Sequence, residues 1–359
     1  MLSRADRYSE EEDLESLPPD GFERLMSKTV RDRCTRCGAC YLACPFGVLE
    51  YLDGPKLSSE CRSCGLCLQV CPARQTEPNE LEKFVFGHIR NQDDAYGVHL
   101  SESIGQAHNT EVRETCQDGG VVTALLQNGL KSNALDGAVV SSIQPTAPWL
   151  PRPILARTRE EIIEAAGSRY CYSAGLTMLS SSTGLGFKQL AFVGLPCQVL
   201  SIRRMQMAGL NRTVGNIRLI VGLFCSETFT YEGLVQKKIN QEMGIELNDV
   251  AKMNIKGSMQ IRLRSGQIHE IPLKELHQYA EPFCRFCGDF SSEMADISLG
   301  GVGLQNETFI VTRTETGKRF IEDAVKDGAV DLVHPPKEKA ALELLIRLSK
   351  NKRARVIHG

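Results

Sequence analysis

From residue 79 onward, short runs dense in apolar residues alternate with longer segments whose apolar positions recur every three or four residues. The runs at 83–89 (KFVFGHI), 135–143 (LDGAVVSSI), 189–195 (QLAFVGL), 217–225 (IRLIVGLFC), 296–301 (DISLGG) and 308–314 (TFIVTRT) predict strands, several apolar enough to be buried on both faces. Between them, 119–130 (GGVVTALLQNGL), 196–209 (PCQVLSIRRMQMAG), 231–244 (YEGLVQKKINQEMG) and 338–351 (EKAALELLIRLSKN) carry an apolar stripe at helical spacing, and glycine closes the first three. From Val250 to Pro272 the pattern alternates around a Ser265-Gly266 turn, which predicts a small antiparallel meander. Residues 79–359 therefore read as a mixed α/β (α+β) body.

Residues 1–27 lack any such pattern. They are acidic and contain prolines, and they predict a solvated arm with neither the basic nor the apolar region of a signal peptide. No apolar run approaches the ~18 residues of a membrane span, so the expected location is the cytoplasm. With 42 basic and 44 acidic residues the chain has no global field of the kind that gathers nucleic acid. At 359 residues it is long enough for a core that needs no disulfides, so its 14 cysteines point to metal or redox chemistry in a reducing compartment.

The cysteine spacing is the strongest chemical signal. Cys34, Cys37, Cys40 and Cys44, followed by Pro45, form C-x-x-C-x-x-C-x-x-x-C-P, and Cys61, Cys64, Cys67 and Cys71, followed by Pro72, repeat it. Three thiolates two residues apart wrap one corner of a cubane, while the fourth, led away by proline, reaches the other cluster. One 4Fe-4S cluster is expected on Cys34, Cys37, Cys40 and Cys71, the second on Cys61, Cys64, Cys67 and Cys44. A zinc site built from C-x-x-C pairs would leave the regular third and fourth cysteines without a purpose. Residues 28–78 thus read as a bacterial-type two-cluster ferredoxin domain.

Six cysteines remain. Cys197 follows one predicted strand, Cys225 ends another, and Cys284 and Cys287 form a third C-x-x-C pair; Cys116 and Cys171 stand apart. Ligands gather at strand ends in α/β sheets, so these segments can converge on one centre. On spacing alone the four stand equally as buried small residues or as a four-thiolate site, with zinc and iron-sulfur both open.

Taken together, CQDGGVVTALL (116–126), GSRYCYS (167–173), FVGLPCQ (192–198), GLFCSE (222–227) and CRFCGDFSSEMADISLGG (284–301) resemble the beta subunit of the coenzyme F420-reducing hydrogenase and its relatives. A ferredoxin domain ahead of this body is similar to the family's dehydrogenase branch, whose electron-input subunit oxidises reduced coenzyme F420 for a membrane-bound complex. The resemblance implies one FAD, a deazaflavin site against its ring, and a third 4Fe-4S cluster, carried here to Cys197, Cys225, Cys284 and Cys287. It also turns QDGGVVT, otherwise a capped amphipathic helix, into an expected flavin phosphate cradle. Its parts are Asp118 as cap, Gly119 and Gly120 for close backbone approach, Val121, and Thr123 as hydroxyl donor. Further cofactor contacts are expected from Ser168, Arg169 and Tyr170, and from Asp296, Gly300 and Gly301; the family more often has lysine where Arg169 stands. Asp289 and Phe290 are candidates to shield the third cluster or touch the flavin. No G-x-G-x-x-G follows a strand, which argues against a nicotinamide site.

Reduced coenzyme F420 gives up a hydride, cubanes take one electron at a time, and FAD can do both, so no catalytic side chain is expected beyond those that position cofactors. The expected function is an F420H2 dehydrogenase whose FAD takes the hydride and whose clusters carry single electrons to the other members of a membrane-bound complex or to ferredoxin. It would sit in the cytoplasm, peripheral to the membrane. The alternatives are the electron-transfer subunit of another F420-dependent enzyme, hydrogenase or sulfite reductase, and a non-catalytic iron-sulfur wiring subunit. Arg152, Arg157, Lys188, Arg203 and Arg204 are candidates for the anionic deazaflavin tail, and His88 and His99 read as structural. Trp149 lies in a proline-rich loop that is either a rigid connection or a lid over the flavin. The 350–355 run (KNKRAR) reads as a solvated tail, or a contact for an acidic partner or the membrane surface.

Overall fold

The computed structural model describes residues 21–74, 79–182, 184–333 and 338–357. Residues 1–20 of the expected arm and the 75–78 junction lie outside the described residues.

The duplication in the head is conformational as well as sequential. Each cysteine loop puts a residue in the left-handed region between its first two cysteines, Arg36 (φ 53°) and Ser63 (φ 49°), and a glycine directly after the second, Gly38 (φ 85°) and Gly65 (φ 74°). That glycine caps a one-turn helix, Ala39–Ala43 in the first repeat and Leu66–Val70 in the second. Strands β1 (Leu49–Tyr51) and β2 (Pro55–Leu57) close an antiparallel hairpin between the repeats. Phe22, Leu25 and Val30 are buried with Leu49 and Cys67. Residues 21–27 therefore pack on the head instead of extending into solvent, because two large apolar side chains find a surface to cover.

The body is organised on one eight-stranded sheet. Its strands are β3 (Ser101–Ala107), β4 (Gly137–Gln144), β5 (Ala147–Ala156), β6 (Leu190–Gly194) and β7 (Ile217–Leu223), then β11 (Ile297–Gly300), β12 (Thr308–Thr312) and β13 (Val330–Val333). Their order is β13-β3-β12-β11-β7-β6-β4-β5. The four central strands β4, β6, β7 and β11 are parallel, and the flanking pairs are antiparallel. The meander expected over 250–272 forms a separate sheet of β8 (Val250–Ile255), β9 (Ser258–Leu263) and β10 (Ile268–Pro272).

Two expectations fail for identifiable reasons. The apolar run at 83–89 belongs to a helix, Asn79–Phe86, in which Leu81 is buried with Val85 and Phe86 packed on the same core; Gly87 (φ 79°) stops it. The proline-rich segment around Trp149 is no loop: it lies in β5, an edge strand, where proline's missing N–H is tolerated. The 231–244 helix forms, wound as a π-helix over Tyr231–Glu242.

Head and body are not two beads. Cys37, Ala39, Ala43 and Val70 of the head share one apolar core with Leu176, Val199, Ile202 and Met205 of the body. The helix Pro196–Met207 supplies that shared face, and it starts directly after β6.

Candidate functional site

In the head the sulfurs divide into two sets. Cys44, Cys61, Cys64 and Cys67 line one cavity with Phe22 and Phe46. The Cys61 sulfur accepts backbone N–H groups from Phe22 (3.5 Å) and Ser63 (3.4 Å), contacts that favour a thiolate. Cys40 is pushed well up by burial and then by the charges of Cys37, Cys71 and Cys34. Burial first, then Cys37, raises Cys71 to about 12. The fourth cysteine of each repeat thus stands with the other repeat's set.

In the body, Cys197 sits in the first turn after β6, Cys225 two residues past β7, Cys284 in the turn Pro282–Phe286 and Cys287 at its end. The Cys225 N–H donates to Phe290 O (2.8 Å), and Thr228 N–H donates to the Cys284 sulfur (3.4 Å), which tie the late segment to the end of β7. Cys197 is driven well above the ordinary thiol range by burial, then by Cys287, Cys37, Cys225 and Cys284. Burial lifts Cys284 to about 12, with Cys225 adding to it. Cys197 and Cys225 lie deep, yet part of each side chain stays uncovered. Among the described residues no group of three His, Cys, Asp or Glu side chains is close enough to hold a single metal ion. Four thiol donors from three separate segments are the ligand type that iron-sulfur clusters use.

The body set also reaches the head. The Cys37 sulfur lies 3.7 Å from Ser201 Oγ, which donates to Cys197 O at 3.0 Å. Tyr172 is partly buried beside Cys197 and Cys37, edge-on against Phe283. Arg36 pairs with Glu281, and Arg33 lies over the Phe286 ring, so head residues grip the segment that carries Cys284 and Cys287.

The residues expected around a flavin divide differently. At Gly119 an added Cβ would sit 2.7 Å from Gly105 O and 2.9 Å from Thr308 N, and at Gly120 3.1 Å from Val112. At Gly300 it would meet the Phe224 ring, and at Gly301 the Asp118 carboxylate. These glycines are accounted for by protein packing on β3 and β12, by the left-handed cap of the helix Val121–Lys131 (Gly120 φ 72°), and by close side chains. The Asp296 carboxylate accepts from Ile220 N (2.8 Å), Arg203 (2.8 Å) and Thr314 (2.7 Å), which makes it a tie between strands. The Thr123 hydroxyl takes a hydrogen bond from Cys116.

What remains is a set of buried polar atoms with no partner: both side-chain ends of Gln117, Oδ1 of Asp118, Nε of Arg169, and the hydroxyls of Ser141 and Ser173. Asp118 has only Lys256 at 3.7 Å, an ion pair too long for a hydrogen bond, and burial raises its carboxyl. Arg169 donates to the carbonyls of Ser168 and Ala166 and lies 5.9 Å from the Trp149 ring. Burial alone lowers it to about 10. Tyr170 accepts from Ile255 N (3.0 Å), which ties β8 of the meander to the 167–173 segment.

Known proteins share this sequence and geometry. Residues 104–180 match the N-terminal part, and residues 187–338 the C-terminal part, of the family described as "Coenzyme F420 hydrogenase/dehydrogenase, beta subunit". The chain belongs to the coenzyme F420 hydrogenase/dehydrogenase beta-subunit family. Residues 28–50 and 58–74 each match a 4Fe-4S binding domain, so its head is of the iron-sulfur ferredoxin kind. The chain is 34% identical over 269 residues to the beta subunit of the coenzyme F420 hydrogenase of Methanosarcina barkeri, covering 73% of this chain and 91% of that one. It is 29% identical over 348 residues to the F subunit of the F(420)H(2) dehydrogenase of Methanosarcina mazei, covering 94% and 93%. A chain of the solved F420-reducing [NiFe] hydrogenase complex from Methanosarcina barkeri superposes with a TM-score of 0.69 at 32% identity, over 74% of this chain and 92% of that one. As a member of this family, the protein is an oxidoreductase subunit of the F420-related type. Among the described residues no helix is long and apolar enough to cross a membrane.

Several polar residues of this family member have other work than their patterns suggest. Arg203 is held by Met294 O and Asp296, and Arg204 by Cys71 O and Arg74 O, so both join elements internally. Arg157 lies 4.1 Å from the Phe187 ring. His99, between Tyr96 and Glu102, is structural as expected. The basic run at 350–355 is not a free tail: Lys352 is buried, Arg353 pairs with Glu293, and Arg355 donates to Ser226 O. Nothing in its spacing distinguishes Lys352 from a surface lysine, because only packing of the last helix turns it inward.

Proposed function

We propose that the chain oxidises reduced coenzyme F420, handing its hydride to FAD, and passes the electrons singly through three 4Fe-4S clusters to a partner complex or ferredoxin. The observation that carries this reading is the deep set of Cys197, Cys225, Cys284 and Cys287, one serine away from Cys37 of the head. FAD supplies the conversion of a hydride into single electrons, and the clusters supply one-electron steps.

The chain's own residues bind and orient. Cys197, Cys225, Cys284 and Cys287 would hold the body cluster, Cys34, Cys37, Cys40 and Cys71 the first head cluster, and Cys44, Cys61, Cys64 and Cys67 the second. Arg169, a largely buried guanidinium with no carboxylate partner among the described residues, suits a diphosphate. Ser141, Ser173 and Gln117 have buried side-chain atoms with unused hydrogen bonds among the described residues. The first-turn amides of Val121–Lys131 lack intrahelical acceptors and add donors of the same kind. Lys256 of the meander, beside Asp118 at 3.7 Å, and Lys252, which donates to Cys116 O, join Arg152 and Lys188 as candidates for the anionic tail of the deazaflavin, whereas Arg157, Arg203 and Arg204 are spent internally. Hydride transfer needs close stacking of the two rings and little acid or base assistance.

Anaerobic mixing of the purified chain with reduced coenzyme F420 tests the reading. Bleaching of a stoichiometric flavin, followed by reduction of clusters amounting to about twelve irons per chain (three of four), is expected. Intact bound flavin that does not bleach would leave a wiring subunit in place of the enzyme.

A further inference from the structure

The last helix, Glu338–Ala354, begins where the family match to 187–338 ends. Its buried Ala341 and Leu345 pack with Phe290, Phe309 and Val311, and this seating aims Lys352 into the body. Lys352 is 3% exposed, and its ammonium donates to Cys225 O at 2.6 Å. Among the described residues no carboxylate stands at ion-pair distance from it. The groups facing it are Cys287, Cys225, Asp289 and Cys284.

A buried ammonium is strongly disfavoured unless enough negative charge faces it, and Asp289, the one carboxylate among these groups, stands beyond ion-pair distance. Four neutral thiols would not offset it. Four thiolates around a 4Fe-4S core would, with a net charge of about −2 when oxidised and −3 when reduced, counting four thiolates against the core. A fixed positive charge at such a centre favours the more negative, reduced state. We propose that Lys352 is a positioning residue whose fixed charge holds up the reduction potential of the body iron-sulfur centre, so that this centre accepts electrons leaving the flavin. The inference rests on the reading of Cys197, Cys225, Cys284 and Cys287 as a cluster site, and it adds a residue that none of the cysteine or flavin motifs contains.

The test is mediator-coupled redox titration of the whole chain, followed by electron paramagnetic resonance, on the wild type and on Lys352→Met, Lys352→Gln and Lys352→Arg. The Cys197→Ser variant identifies which signal belongs to the body centre. With Met and with Gln, that signal shifts to lower potential while both head signals stay in place; Arg keeps it near the wild-type value. Loss of the body centre's iron in Met and Gln but not in Arg supports the same role for the charge. Unchanged potentials in an iron-replete Met or Gln variant overturn the proposal, as does a shift seen with Met alone, which would trace the effect to the hydrogen bond. The titration uses mediators and no deazaflavin. A Lys352 shift in a chain whose flavin reduced F420 does not bleach would therefore sink the proposed function and leave this inference standing, whereas a wild type with only two cluster signals sinks the inference.

Discussion

In the head, three of the four sulfurs around each centre come from a single loop with left-handed turns at matching positions, and Cys64 stands exposed. In the body, the four candidate sulfurs come from the end of β6, the end of β7 and a turn some sixty residues on, and each belongs to a partly covered residue. The first kind of site is made by local backbone geometry and opens toward solvent beside Phe46, itself 51% exposed. The second would be assembled at the ends of sheet strands, with the helix Glu338–Ala354 setting Lys352 against Cys225. On the proposed reading, an exposed centre can meet a partner and a covered one a cofactor inside the same chain. Damage to the two kinds of cysteine site should therefore have different consequences.

The largest contrast is in metal content. Cys197→Ser is expected to remove the body centre alone, lowering iron by about four per chain, and Cys67→Ser to remove about four while sparing the body signal; iron assay with magnetic resonance separates the two. Loss of all clusters in Cys197→Ser would erase the contrast. Next is thiol reactivity in the metal-free chain at pH 8. Cys64 should alkylate on the order of 100-fold faster than Cys197 or Cys284, because only thiolate reacts and burial suppresses it. Burial lifts Cys284 to about 12, so its labelling rate climbs as pH rises toward that value; mass spectrometry of labelled peptides reads both.

Stability effects are smaller. Leu345→Ala empties a fully buried position under the last helix and should lower denaturant stability by about 2–5 kcal/mol, with the body centre lost before the head centres as denaturant rises. Arg36→Ala leaves the buried Glu281 without its partner across the seam between head and body. A loss of about 1–3 kcal/mol in thermal or denaturant unfolding is expected, with a body signal that survives.

Much of the fold is legible in hydrophobic period. The central strands β4, β6, β7 and β11 are apolar on both faces because helices cover both, and the meander announces itself by alternation and a Ser-Gly turn. The 83–89 run reads wrongly as a strand because a short apolar stretch has the same composition in either state, and only its docking on the Pro196–Met207 helix selects a helix. Strands β3, β5 and β13 give weak signals: they lie toward the sheet's edges, where mixed polarity and proline are tolerated. The glycine motifs read as ligand clearance. Their clearance is largely for other parts of the chain, and nothing in a linear string says which neighbour a missing side chain makes room for.

Cysteine spacing suffices to establish that this chain holds an iron-sulfur head, because three of the four ligands of each set fall within one loop and are a property of adjacent residues. Five ordered motifs likewise carry the family. Packing of the whole chain was needed to show that head and body share a core, that Cys37 and Cys197 meet through Ser201, that the Nε of Arg169 and the side-chain amide of Gln117 are buried without a partner among the described residues, and that Lys352 is turned inward at Cys225. Each of those depends on residues tens to hundreds of positions apart meeting at the end of one sheet, and contact of that kind is created by packing and is not encoded in spacing.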